Sequence, residues 1–165
     1  MTPFLFGKLP AFGDFVARGL SPPMRFWWDS WCSRAVLDAR ERFGEGFYDR
    51  YDATPPRRFL IDPQLPDGPW QAGCVVPSRD RAGRAFPFVL GLSSGSPIDT
   101  MEAAAIGGRL IACVENAFDR QTGPDALILT AQIAARDASL PVRAVQPVTA
   151  RETNWIGKSP QVLEM

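Results

Sequence analysis

The chain has 165 residues, 45% apolar and 22% charged, a length that suits one domain with a sizeable core. Its 18 basic residues balance 18 acidic ones, so the net charge points neither to nucleic acid nor to a membrane surface. Histidine is absent, which removes Ser-His-Asp and Cys-His nucleophile systems, His-ligated zinc and the commonest general base; catalysis would have to run on carboxylates, Lys, Arg or a Cys without a His partner.

Taken in chain order, Phe4, Phe6 and Leu9 of "FLFGKL" predict a short first strand that ends at Pro10. The stretch "GKLPAFGDFVARGL" (7–20) then reads as a turn into the first helix, with Gly13 supplying an unusual backbone angle, Asp14 bonding turn amides, and Phe12, Phe15 and Val16 anchoring the crossing. Helix one follows, from Ser21 as cap, through prolines tolerated in a first turn, to a stop at Gly44. Its expected core face is Met24, Trp27, Trp28, Trp31, Ala35, Ala39 and Phe43. Two adjacent tryptophans cannot both point into that core, which leaves one at its edge as a candidate contact for a partner. The aromatic cluster Phe47, Tyr48, Tyr51 predicts a second short helix, broken by "TPP".

Three β-rich runs come next, over 57–62, 70–78 and 84–93, and their short connections predict an antiparallel meander. Asp99 and Glu102 stand at capping-box spacing before a helix whose stripe is Ile106, Leu110, Cys113, Val114, Ala117 and Phe118, with Gly107 and Gly108 allowing close packing on a sheet. "PDALILTAQIAARD" predicts a further helix, and residues 140–165 an extended C-terminal segment of the same single domain. The fold class expected is α/β, a mainly antiparallel sheet flanked by helices in an α/β sandwich.

Cys32, Cys74 and Cys113 are odd in number and widely spaced, which fits no disulfide framework and no C-x-x-C metal site and suits a reducing compartment. With no export signal and no run of 18 apolar residues, the expectation is a soluble cytoplasmic protein with no membrane insertion, no metal and no cofactor.

Two loops hold the candidate chemistry. In the first, Lys8, Asp14 and Arg18 lie among Gly7, Gly13 and Gly19, but neither nucleotide-binding glycine motif is present. In the second, "PSRDRAGRAFPF" (77–88), Arg79, Arg81 and Arg84 offer a fork for a carboxylate or phosphate, with Ser78 and Asp80 as partners. The structural alternative is a hairpin in which Asp80 satisfies the turn, Gly83 takes a positive φ and an arginine pairs with an acid such as Asp14. The expectation is that the two loops meet, with Asp14 facing Arg84.

Together the loops resemble the TagF family, also called ImpM, accessory proteins of the bacterial type VI secretion system. Gly7, Lys8, Pro10, Gly13, Asp14 and Phe15 match G-K-x-P-x-x-G-D-F, and Pro77, Ser78, Asp80, Gly83, Arg84, Phe86 and Pro87 match P-S-x-D-x-x-G-R-x-F-P. The resemblance covers residues 4–120; beyond that the chain is not matched to the C-terminal parts of longer members. It implies an α/β sandwich without catalytic activity, a post-translational repressor of secretion assembly, with the forkhead-associated protein as partner and its phosphatase as a second. The binding candidates are Lys8, Gly13, Asp14, Phe15, Arg18, Trp28, Ser78, Arg79, Asp80, Gly83 and Arg84. The alternative is a binder or enzyme for a phosphorylated ligand, acting through Lys8, Asp14, Asp80 and Arg84.

Overall fold

Strands in this protein read as nearly continuous apolar runs because both faces of the sheet are covered. The computed structural model describes residues 1–63 and 68–136. Its elements are β1 (Thr2–Lys8), β2 (Phe15–Arg18), α1 (Pro22–Phe43), α2 (Phe47–Asp52), β3 (Arg57–Ile61), β4 (Trp70–Val76), β5 (Phe88–Ser94), α3 (Thr100–Asp119) and α4 (Pro124–Arg136). They build a five-stranded, wholly antiparallel open sheet in the order β2-β1-β5-β4-β3. The expected meander is β3-β4-β5, and β1 adds beside β5. The extended segment expected over 140–165 lies outside the described residues.

Alternate strand residues feed two cores. Leu5, Leu60, Cys74, Leu90 and Leu92 pack with Ile106, Leu110, Val114 and Leu127 of α3 and α4. On the opposite face Phe4, Phe6, Phe59, Val75 and Val89 pack with Met24, Trp28, Cys32 and Val36 of α1 and with Phe47 and Tyr51 of α2. At Gly107 an added Cβ would lie 2.8 Å from the Gly73 carbonyl oxygen, so α3 sits against β4 at a distance only glycine permits.

Local chemistry explains the helix ends. Asp99 accepts a bond from the Glu102 amide at 2.8 Å, as the capping-box spacing predicts. Ser21 stands at the N-cap of α1 but makes no side-chain cap bond; two prolines follow it, and they remove amides such a cap would serve.

Four expectations are corrected. Residues 15–18 form an edge strand, β2, where a turn into α1 was expected; a four-residue run is too short to show its period, and pairing with β1 decides it. The third β-run starts at Phe88, not at 84, because residues 79–85 close a hairpin of their own and Pro87 has no amide for the ladder. Trp28 is fully buried, its neighbours Trp27 and Trp31 are half-buried with their rings edge-on to it, and Cys32 and Val36 complete the core face in their place. Cys113 and Phe118 of α3 are likewise only half-buried, while Ala103 and Ile111 join the core.

Burial pushes the Cys32 and Cys74 thiols up, and the half-buried Cys113 more modestly. In the native protein, therefore, a thiol reagent at neutral pH is expected to reach Cys113 alone, with Cys32 and Cys74 reacting on unfolding. Rapid labelling of all three would contradict the packing described.

Candidate functional site

The site is built where β1 ends and the 79–84 hairpin turns back. Within that hairpin Phe86 N donates to Ser78 O at 3.0 Å, Asp80 N to Arg84 O at 3.2 Å and Gly83 N to Asp80 O at 2.8 Å, with Gly83 at φ 79° as the turn requires. The buried Asp80 carboxylate then organises everything around it. Its Oδ1 accepts from the amides of Ala82 at 3.0 Å and Arg84 at 2.9 Å. Oδ2 accepts from Lys8 Nζ at 2.8 Å and Arg84 Nε at 2.7 Å.

The Lys8 and Asp80 side chains are 8% and 0% exposed, so the pair is desolvated and compensated by a full set of donors. Those donors, led by the Lys8 ammonium, hold the Asp80 carboxyl far below the usual carboxylate range. Above that range Asp80 is ionised whether the chain is folded or not, and its contribution to stability is complete. As pH falls below about 4 the unfolded chain takes up the proton first and the contribution drains away. Carbon NMR is therefore expected to show Asp80 still ionised at about pH 3, and the stability gap between wild type and Asp80→Asn to narrow below about pH 4. An Asp80 midpoint in the ordinary range would contradict this.

Both loops contribute to a single assembly. Arg84 Nη2 donates to Gly13 O at 2.8 Å and Arg81 N to Phe12 O at 3.0 Å. Ser78 Oγ donates to Lys8 O at 2.7 Å, while the Tyr51 hydroxyl donates to Ser78 O at 3.0 Å and accepts from Ser78 N at 3.1 Å. Arg79 forks onto Asp52, Nε to Oδ1 at 3.0 Å and Nη2 to Oδ2 at 2.8 Å, and its guanidinium lies 4.5 Å from the centre of the Tyr48 ring. Phe15 packs edge-on to Phe86 at 4.7 Å and stacks on Phe6 at 6.0 Å.

Of the residues singled out in the sequence, Lys8, Gly13, Phe15, Ser78, Arg79, Asp80, Gly83 and Arg84 converge here, and three do not. Asp14 is exposed and does not face Arg84; the carboxylate that Arg84 takes is Asp80, four residues away on its own hairpin. Arg18 is carried off along β2 to Asp125 of α4, an exposed pair at 2.6 Å that contributes little to stability. Trp28 is in the core, with Nε1 donating to Gln71 Oε1 at 3.1 Å.

Gly13 has no positive φ; the strained angle on this side belongs to Gly7, at φ 127°, where a Cβ would come within 2.1 Å of Pro87 O. The Asp14 carboxylate bonds no turn amide among the described residues, whereas Asp80 satisfies the amides of Ala82 and Arg84 in its own hairpin, as expected. Tyr51, Asp52, Phe86 and Asp125 were not foreseen as partners, and only the aromatic spacing around Tyr51 hinted at burial.

For a phosphorylated ligand the arrangement offers few free cations: Lys8 is turned onto Asp80, Arg79 onto Asp52, and Arg84 is half spent within the cluster. Among the described residues no group of His, Cys, Asp and Glu could hold a metal ion, and no helix is long and apolar enough to cross a membrane.

Comparison with known proteins gives two findings. Residues 5–135 match the family described as TagF N-terminal domain, Type VI secretion system-associated, a span that includes both loops and runs into α4. Among solved structures, the crystal structure of PA0076 from Pseudomonas aeruginosa PAO1 is similar, with 25% sequence identity and a TM-score of 0.59 over 93% of this chain and 76% of that one. No curated protein matches the chain.

Proposed function

The chain belongs to the TagF family through this N-terminal domain, which is type VI secretion system-associated, and from that premise we propose that it is a non-enzymatic regulator, a cytoplasmic repressor that acts by holding the forkhead-associated component of the secretion system. The observation that carries this reading is the fusion of the two motif loops into one surface, with Arg84 reaching Gly13 O while its Nε and Lys8 share the buried Asp80 carboxylate. A catalytic cluster needs groups left free to act on a substrate. Here Lys8 and Asp80, and the inward half of Arg84, are spent on positioning backbone and rings, which is what a preformed binding face requires.

The test is capture of the forkhead-associated protein of the same secretion cluster by the full chain, together with secretion measured after deletion of the gene. Capture and a rise in secretion are expected. Failure of capture with secretion unaltered would overturn the reading.

A further inference from the structure

The face where the loops meet presents a fixed aromatic ring and two exposed arginines. Phe15 is 45% exposed, yet its ring is pinned against Phe86 and Phe6, and Lys8 Nζ lies 5.1 Å from its centre while bonding Asp80. Ring and buried carboxylate thus form one rigid piece. Arg84 has a side chain 62% exposed and turns Nε and Nη2 inward, which leaves Nη1 for solvent. Arg81 is exposed on the same hairpin, its backbone tied to Phe12 O, and meets no acidic side chain among the described residues. Asp14, which follows Gly13 in the chain, is also exposed. The space over Gly13 and Gly83 is open, with nothing within 4 Å of where a Cβ would be, so another backbone can approach both turns closely.

We propose that this face docks an acidic, extended segment of a partner protein, which lays an apolar side chain on Phe15 and sets its carboxylates against Arg81 and Arg84. Charge complementarity selects this occupant: guanidinium groups bind carboxylates by charge-assisted bonds, here through the free Nη1 of Arg84, whose side chain is already anchored, and through Arg81, whose backbone is tied to the first loop. The exposed Phe15 ring supplies apolar area with little ordering left to do, since its contacts with Phe86 and Phe6 already fix it. The inference rests on the reading of the joined loops as a binding face and adds the chemistry of what binds.

The experiment is an NMR titration of the nitrogen-15-labelled full chain with a synthetic ten-residue peptide of glutamate and leucine, and with a lysine and leucine peptide of equal length. The acidic peptide is expected to shift the amides of Gly13, Phe15 and Gly83 in a saturable, salt-sensitive way, and the basic one to leave them in place. Arg81→Glu, whose side chain takes no part in the Asp80 cluster, should weaken the effect about tenfold, the scale of one lost charge-assisted bond; Phe15→Ser should do so without the change in salt dependence. Unmoved loop amides, shifts confined to another face, or equal binding by Arg81→Glu would each overturn the proposal. Capture of the forkhead-associated protein, run alongside, separates the two ideas: capture without a peptide effect overturns the acidic assignment and leaves the regulator standing, and peptide binding without capture does the reverse.

Discussion

Asp80→Ala is expected to destabilise the protein by about 3 kcal/mol, because it leaves the Lys8 ammonium buried without a counter-charge. The same change removes the acceptor for the Ala82 and Arg84 amides and for Arg84 Nε, so both motif loops should loosen together. Urea unfolding measures the loss, and amide exchange at Phe12, Gly13 and Arg84 measures the loosening. Where the alanine variant does not fold, Arg84→Gln gives the milder case. It keeps the Lys8–Asp80 pair, removes the Arg84 bonds to Asp80 Oδ2 and Gly13 O, and should cost about 2 kcal/mol while still loosening the first loop. Protection of the first loop that is unchanged in Arg84→Gln would mean the two motifs are not one unit.

Trp28→Ala should cost about 3–5 kcal/mol, the range for truncating a large buried aromatic. Trp28 is fully buried against Phe59 at 5.1 Å and Phe4 at 6.0 Å between ring centres, and Trp27 and Trp31 lean on it edge-on. Its loss also leaves Gln71 Oε1, buried on β4, without its donor. Trp28→Phe, which keeps a ring but not the N–H, should recover most of the stability. Equilibrium unfolding distinguishes the two variants. A Trp28→Ala protein as stable as wild type but unable to bind would return this tryptophan to the surface role that adjacent aromatic residues suggested.

Periodicity and end signals made the helices legible: the Asp99 and Glu102 pair, Gly44 at the close of α1, and Pro124 at the start of α4 are local chemistry. The antiparallel meander was legible too, since short connections leave β3, β4 and β5 no other way to pair. Position β2 is another matter. Four residues carry no period, and only the neighbouring β1 makes them a strand. The site divides along the same line. Asp80 and Gly83 follow turn chemistry written within five residues, and the sequence was enough. The choice between Asp14 and Asp80 as the partner of Arg84 depends on the path of Gly7 to Gly13 past Pro87, a distance set by the assembled sheet. Arg18 was grouped with Lys8 by proximity along the chain, but the strand pairing of β2 carries its side chain to α4 instead.

The most direct test of the account is capture of the forkhead-associated protein by the full chain carrying Arg81→Glu and Phe15→Ser together, after circular dichroism has shown the fold unchanged. Both residues are exposed and neither side chain bonds Asp80. The account predicts that the wild-type chain captures the partner and the folded double variant does not. Undiminished capture by the folded double variant would contradict it.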